Sequence, residues 1–479
     1  MVKRIVLINT PLSESDRFGV LKGYIDDMIA VQPPLGLCYL AAYIRQNGYE
    51  ARILDSLALH HSIEQAAAEA VKFGFKYIGL TSATMAIGFA HDLARKIKEK
   101  APGTTVIIGG PHITALPQDS MERFPNFDFG VMGEGELILK ELLDSLEAGL
   151  PVDAIKGIVF RKDGAIIRNP RQEYLKDLDT LPMPAWDLLP ELIRHYRLPL
   201  QNLSGGNSFS VITSRGCPSK CTFCDRAIFG AKFRRHSPFY VVEMLKDLYH
   251  KHGVRHIHFH DDNFFVNRQH MIDIFSLIKK EKMQLTWSSL GRVDFVDRDI
   301  LKMAREAGCV QLFFGIESGS QKILDTIRKG ITPVQVKTAL EITKSLGIET
   351  AGCVMVGNPG ETRETLEETL KFLRGIKLDS LSMTFTTPFP NTDLWNSIEH
   401  YGVMKKDWNN LNVYEPVFIP YGLDSETLKY YMKTIIRKFY FRPSFILTHL
   451  GRLFDRRRWK NIIRGALQLF LLSSVKKNA

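Results

Sequence analysis

Three cysteines, Cys217, Cys221 and Cys224, stand in Ser214-Arg-Gly-Cys217-Pro-Ser-Lys-Cys221-Thr-Phe-Cys224, a C-x3-C-x2-C spacing that offers three thiolates to one metal centre. A [4Fe–4S] cube ordinarily takes four cysteines, so holding it with three leaves one iron open to a substrate or cofactor. A structural zinc would need a fourth donor, His236 or His256, yet zinc knuckles usually pair two C-x2-C units or a C-x2-C with an H-x3-5-H, and no second C-x2-C is present. A disulfide is disfavoured, because an odd local set without secretory context reads as reduced and intracellular. The spacing therefore predicts an iron–sulfur cluster.

Other chemistry-bearing residues recur where apolar runs end: His260-Asp261-Asp262-Asn263-Phe264, Gly291-Arg292-Val-Asp294, Gly315-Ile-Glu317-Ser318-Gly319, and Gly352-Cys-Val-Met-Val-Gly357-Asn-Pro359-Gly360-Glu361. The runs themselves are a β/α series that begins at Phe209–Thr213 and returns at His256–Phe259, Thr286–Leu290, Val310–Gly315, Thr350–Val356 and Ser380–Thr386. Barrel chemistry sits at strand carboxyl ends, which is where these polar groups fall. A complete eight-fold barrel needs about 250 residues, more than this region holds. Arg292 matches a carboxylate bidentately, or else serves an ordinary surface ion pair. His256, His258 and His260 alternate at strand period and share a face. The expected face is the outer one, beneath helices; a metal dyad of a hydrolase is the alternative. Cys38, Cys309 and Cys353 lie in apolar runs and read as buried small hydrophobes.

Residues 1–145 alternate strands (Ile5–Ile8, Ala51–Leu54, Tyr77–Leu80, Thr105–Ile108, Phe129–Val131) with helices (Gly36–Asn47, Ser62–Phe73, Phe89–Lys100), the pattern of a parallel, doubly wound α/β sheet. Loops at the strand carboxyl ends form the ligand crevice of such a sheet. Here they read Thr10-Pro11, Pro33-Pro34-Leu35-Gly36, Thr81-Ser82, Gly109-Gly110-Pro111-His112 and Gly133-Glu134-Gly135-Glu136. No G-x-G-x-x-G follows the first strand, which disfavours a nicotinamide dinucleotide. Residues 146–205, with a strand near Ile158–Arg161 and a proline-bearing stretch, read as a linker wrapping both domains.

The cysteine spacing followed by β/α repeats resembles the radical S-adenosylmethionine (SAM) superfamily. The preceding loops resemble the cobalamin-binding domain of the subgroup that contains anaerobic magnesium-protoporphyrin ester cyclase and carbon or phosphorus methylases. The resemblance covers residues 1 to about 430. It implies a Rossmann-like cobalamin domain before a partial (β/α)6 barrel spanning 206–430. It also implies that SAM chelates the open iron and is cleaved to a 5′-deoxyadenosyl radical, and that an unactivated carbon is then methylated, cyclised or rearranged. By the same resemblance Asp261 and Asp262 hold the SAM amine, Glu317 and Ser318 meet its ribose, Gly357 lets it approach the backbone, and Phe223 lies near adenine. Thr10, Pro11, Pro34, Leu35, Gly36, Thr81, Ser82, Gly109, Gly110, His112, Gly133, Glu134 and Gly135 are the cobalamin candidates. The D-x-H-x-x-G signature is missing, so no histidine is expected on the lower face of cobalt. The alternatives are a radical SAM enzyme without a corrinoid, a cluster-bearing electron-transfer or regulatory module, and the hydrolase.

At 479 residues with 45% apolar content, the chain can bury two or three cores. Its first apolar run is too short for a signal peptide, and no stretch reaches the ~20 apolar residues of a spanning helix. From 431 to 479, 12 Lys/Arg face one acid, Asp455, a surplus equal to the net charge of the whole chain, +11. Basic and apolar residues alternate in this helical tail, which suits an anionic membrane surface or a cap packed on the body. No RNA-binding module is recognisable, so nucleic acid is not an expected partner. A cytoplasmic enzyme follows, peripheral at the inner membrane face if the tail binds lipid, with a small-molecule or lipid-like substrate and an external electron donor of flavodoxin or ferredoxin type.

Overall fold

The computed structural model describes residues 3–12, 31–196, 207–405, 407–408, 411–443 and 445. The tail beyond 445 and part of the predicted linker, 197–206, lie outside them.

The amino-terminal run Arg4–Asn9 (β1) is buried on both sides, as the central strand of a parallel sheet must be. Its alternate residues part company: Ile5 and Leu7 enter one core with Leu37, Ala41, Ile138 and Leu142, whereas Val6 and Ile8 enter a second with Ala66, Ala90, Leu93 and Ile97. Those partners come from helices α1 (Leu35–Gln46) and α6 (Gly135–Ala148) on one face, and α2 (Ile63–Lys72) and α3 (Ile87–Lys100) on the other. The remaining parallel strands are β2 (Glu50–Asp55), β3 (Tyr77–Thr81), β4 (Thr105–Gly109) and β5 (Phe129–Val131), and two short helices, α4 (Pro111–Ala115) and α5 (Pro117–Arg123), follow β4. α2 begins on a reciprocal cap in which Ser62 and Gln65 satisfy each other's backbone N–H groups.

The sheet does not end where the linker was expected to begin. β6 (Ile158–Lys162) pairs antiparallel with β5, and β7 (Ala165–Arg168) with β6, giving the order β2-β1-β3-β4-β5-β6-β7. Asp163 and Gly164 both take positive φ, the two-residue turn that matches strand twist. The rest of the linker does clamp both units: Ala185 donates its N–H to the Cys38 carbonyl, and Trp186 lies edge-on to Phe209, 5.1 Å between centroids.

The second unit is a six-stranded, all-parallel sheet, β8 (Ser208–Val211), β11 (His256–Phe259), β12 (Thr286–Gly291), β13 (Cys309–Glu317), β14 (Glu349–Val356) and β15 (Ser380–Phe385), adjacent in chain order. Helices α7 (Pro238–Lys251), α8 (Arg268–Lys280), α9 (Arg298–Glu306), α10 (Gln321–Thr326), α11 (Pro333–Ser345) and α12 (Arg363–Gly375) connect the strands, and α13 (Ser425–Tyr440) closes the described chain. The outward alternates are large and apolar, with Phe259 stacked on Phe264 at 4.3 Å and Trp287 on Phe275 of α8 at 5.4 Å. This corrects the expectation for the histidines. Because Ile257 and Phe259 take the helix-covered side, His256 and His258 point to the barrel interior, where they meet Thr286 and Ser288.

Candidate active site

Two short strands, β9 (Ser214–Arg215) and β10 (Arg234–Arg235), pair antiparallel and close a loop that carries all three cysteines. Its first residue, Gly216, has φ +86°, and a Cβ there would run into the Lys232 carbonyl, so only glycine fits. The expected SAM-amine pair braces this entry: Asp261 Oδ1 accepts from Thr213 N (3.1 Å), Thr213 Oγ1 (2.9 Å) and Ser214 Oγ, and Asp262 Oδ2 accepts from Gly216 N (3.1 Å). Asp261 Oδ2 is buried without a partner. Burial pushes the Asp261 carboxyl up to about 6 against the pull of its hydrogen bonds.

Cys217 and Cys221 are buried and Cys224 is exposed. Even so, loss of hydration, then Asp262, then the other two thiols push Cys224 up to about 12. Asp262 and His260 behave alike: both present surface, and loss of hydration shifts both toward the neutral form. Groups that are reachable yet poorly hydrated line a concavity, here the mouth of the barrel. The mutual repulsion of the thiols is what a cationic cluster would relieve. Among the described residues no three His, Cys, Asp or Glu side chains gather around a point that could hold one metal ion, as zinc requires. A cube takes each thiolate on a different iron and needs no such point. His236 is engaged by Asp179 and Tyr39, and His256 by Thr286 and Ser288, so neither is a free fourth ligand.

Arg292 does not stand ready for a bidentate grip on a ligand carboxylate. Nε and Nη2 already clamp Asp294 (3.0 and 2.8 Å), Nη2 also donates to the Lys329 carbonyl (2.6 Å), and Nη1 donates to Cys221 Sγ (3.4 Å). Lys329, not singled out from sequence, is a buried cation 2.7 Å from Glu317 Oε1 and 5.9 Å from the Phe223 ring centroid. Glu317 holds φ +64°, a conformation costing a non-glycine residue about 1–3 kcal/mol, and the ion pair secures it. One of its two expected ribose acceptors is thus occupied. Ser318 is fully buried, bonded to Thr369 Oγ1 (3.0 Å) and to Ser320 N–H (3.1 Å). It shapes the turn and leaves no hydroxyl for a ligand.

Gly357 takes φ +86° in a turn knotted by Glu361, whose Oε2 accepts from the Gly357 and Asn358 N–H groups. Burial pushes the Glu361 carboxyl up to about 7, and its Oε1 has no partner. The folded chain keeps this proton to about pH 7 whereas an unfolded one loses it near 4.5, so stability falls as pH rises through that window. Glu361→Gln is expected to flatten the decline, read as urea midpoints at pH 5 and pH 8 that converge relative to the parent chain.

The loops of the first sheet enclose a cavity of about 350 Å³ at the strand carboxyl ends, lined among others by Pro34, Leu35, Gly36, Thr81, Gly109, Gly110, Gly133, Glu134 and Gly135. Asn9 and the alkyl groups of Leu7, Leu37, Leu40, Ile107 and Leu139 complete it, and Arg215, Ile228 and Phe229 of the cysteine loop form one wall. Among the described residues no imidazole, thiol or thioether lines it. At Gly36 and Gly133 an added Cβ would stand in open space. Thr10, Pro11, Ser82 and His112 lie outside the lining. Thr10 Oγ1 and Ser82 Oγ donate to backbone carbonyls, and His112 is completely buried between Thr84 (3.2 Å) and the edge of Trp408. Burial holds the His112 imidazole down at about 4. Glu134 lines the cavity with its carboxylate saturated by Arg215 (2.7 Å), Arg234 (2.8 Å) and Leu175 N (2.9 Å), while Glu136 takes the other arm of Arg215 (2.6 Å). All four ionic side chains are buried. They bolt the cysteine loop to the sheet.

The Radical SAM superfamily model matches residues 211–373 and the B12 binding domain model residues 23–143. Uncharacterized methyltransferase PH0819 of Pyrococcus horikoshii is 34% identical over 91% of this chain and 94% of its own length. The chain belongs to the radical SAM superfamily. Within it, the anaerobic magnesium-protoporphyrin IX monomethyl ester cyclase of Rubrivivax gelatinosus is 27% identical over 93% of this radical SAM chain and 80% of the cyclase. The fold is that of OxsB with aqua-cobalamin and SAM bound (TM-score 0.76, 19% identity, 98% of this chain and 72% of that one). It is also that of TsrM from Kitasatospora setae (TM-score 0.66, 18% identity, 84% and 75%). This radical SAM chain is an enzyme of the cobalamin-dependent methyltransferase and cyclase family, with the B12-type sheet preceding the half-barrel.

Proposed function

We propose that the chain methylates an unactivated carbon of a small-molecule or lipid-like substrate, using a [4Fe–4S] cluster on Cys217, Cys221 and Cys224, SAM at the barrel mouth, and cobalamin over the first sheet. The carrying observation is the Arg215–Glu134–Arg234 network, which makes the cysteine loop a wall of the first-sheet cavity. When bound, these groups supply a 5′-deoxyadenosyl radical and a methyl carrier. The chain's own residues bind and orient. The N–H of Arg292 supports the Cys221 sulfur, as hydrogen bonds to cluster sulfurs do. Lys329 and Phe223 flank the SAM side, where Glu317 Oε2 and Asp262 Oδ1, which take no hydrogen bond among the described residues, would accept ribose hydroxyls and the amine. The apolar cavity floor favours a corrin whose lower face takes no protein ligand. Methyl transfer is preferred over ring closure because a relative 34% identical over most of its length is named a methyltransferase. The test is anaerobic incubation of reduced, reconstituted protein with SAM: release of 5′-deoxyadenosine together with corrin absorbance after purification is expected. Without the former the enzymatic reading fails, and without the latter the cobalamin reading fails. A flavodoxin- or ferredoxin-type donor would supply the electron.

The basic tail is assigned to an anionic membrane surface, and its root supports this. Arg442 donates to the carbonyls of Leu373, Ile376 and Leu378, anchoring the chain, while Arg374, Arg437, Lys438 and exposed Phe441 surround a cavity of about 460 Å³. No helix among the described residues is long and apolar enough to cross a membrane. Because Tyr431, Ile435 and Phe439 are buried, a clean truncation starts after residue 445. Removing 446–479 is expected to lower sedimentation with phosphatidylglycerol vesicles at least about tenfold and to leave the melting temperature of the body in place.

A further inference from the structure

Helices α12 and α13 end together. Arg442, two residues past α13, donates through Nη1 to the Leu373 and Ile376 carbonyls (3.1 and 2.8 Å) and through Nη2 to that of Leu378 (2.8 Å), so one guanidinium takes up the open carbonyls around the α12 terminus. Arg374 lies in the last turn of α12, and Arg437 and Lys438 in the last turn of α13, all three exposed. With Arg442 they line the cavity of about 460 Å³ at this junction. Two helix termini carry together about one negative charge. Four cations exceed it, so the helix dipoles do not account for the cluster.

No acid balances them either. Residues 369–378 and 427–445 contain no Asp or Glu, and the tail beyond carries one, Asp455. Asp379, next along the chain from α12, is buried and pairs with Lys344 at 3.0 Å. Among the described residues the side chains of Arg374, Arg437 and Lys438 make no ion pair and no hydrogen bond. The exposed last-turn cations of α2, α5 and α7 are by contrast each paired: Lys72 with Glu69 (2.6 Å), Arg123 with Asp119 (2.7 Å) and Lys251 with Asp247 (2.6 Å). Like charges crowded around one concavity repel, and an anion entering it relieves that repulsion. Phe441, 54% exposed, lines the same cavity, and the chain runs on from Pro443 into the stretch where basic and apolar residues alternate. An apolar ring beside unpaired cations suits the layer where lipid headgroups meet acyl chains. A free phosphate or a nucleic acid would make no use of the ring.

We propose that the joined ends of α12 and α13 seat the phosphate of an anionic lipid headgroup, with Arg374, Arg437 and Lys438 donating to its oxygens and Phe441 entering the interfacial layer. The assignment rests on the membrane reading above and narrows it, from spread attraction by the tail to one phosphate-binding place on the body. Arg442 is a positioning residue, since its grip on three carbonyls fixes the end of α13 against α12.

The test uses the full chain and vesicles of phosphatidylglycerol in phosphatidylcholine, sedimented at physiological ionic strength. Arg374→Glu combined with Arg437→Glu is expected to lower the vesicle-bound share at least about tenfold, as removal of two cations from the surface layer should. Lys100→Glu combined with Lys156→Glu is the control, because both lysines are exposed in the first unit and the net charge changes equally. Screening is expected to hold that loss below about threefold. All four side chains are exposed, so melting temperatures should stay with the parent. If the reversal nevertheless unfolds the body, Arg374→Gln with Arg437→Gln is read instead and is expected to lose at least about threefold. Equal losses in the seat pair and the control pair mean net charge alone and overturn the proposal, as does undiminished vesicle binding by the seat pair. So does a seat pair that loses inorganic phosphate or duplex DNA while its vesicle binding is unchanged. A parent chain that stays in solution with these vesicles sinks the membrane reading itself; with the parent sedimenting, failure of the seat pair strikes the seat alone.

Discussion

Anaerobically reconstituted Cys221→Ser is expected to fall from about four bound irons per chain to fewer than about one, with SAM cleavage lost alongside. The three thiols share one loop closed by a two-residue ladder, and Cys221 is the buried member whose sulfur takes the Arg292 N–H. A serine hydroxyl is a poor cluster ligand and shortens the reach of that contact. Cys309→Ser is the control. Cys309 is also buried, yet its sulfur donates to the Gln311 carbonyl at 3.9 Å at the start of β13, far from the cysteine loop in sequence. It is expected to cost stability while leaving iron and sulfide content intact. Zinc in place of iron in the parent chain, or iron unchanged in Cys221→Ser, would overturn the cluster assignment.

Arg215→Ala is expected to destabilise the chain by about 3–5 kcal/mol, because it leaves Glu134 and Glu136 as buried carboxylates with reduced compensation. The relevant groups are all less than a tenth exposed, so solvent screening is slight. The same change removes packing on Tyr39 and Phe229, whose ring centroids lie 5.4 and 5.2 Å from the guanidinium carbon. Corrin binding should weaken in step, since Arg215 and Phe229 form one wall of the first-sheet cavity. Urea unfolding and corrin absorbance at equal protein concentration read the two effects. Arg215→Lys should recover part of the stability without the two-armed contact. A midpoint unchanged in Arg215→Ala would show that the network does not join the two units.

The β/α order was legible because strands buried on both faces spell continuous apolar runs, and helices between them carry a different period. β7 escaped notice although Asp163-Gly164 is a strong hairpin signal, since Ala165–Arg168 is only four residues long and too short to stand out. The histidine alternation showed that three side chains share a face, but which side of the sheet that face meets depends on the neighbours. Ile257 and Phe259 were the readable clue, because helix-covered alternates are the apolar ones. For the site, residue types were legible and their partners were not. Asp261 reaches Thr213, and Glu134 reaches Arg215 and Arg234, across separations that only the folded chain closes. Lys329 lay beside a recognisable motif and Glu361 at the end of one, yet nothing local distinguishes a buried lysine or glutamate from a solvated one.

The carbonyls that Arg442 grips belong to residues just before β15, and so mark the end of the barrel opposite the cysteine loop. If that pole is moored to lipid, the reaction chamber looks toward water rather than toward the bilayer. A greasy substrate must then be lifted out and carried around the body, or handed over by a soluble carrier, before any carbon on it can be attacked.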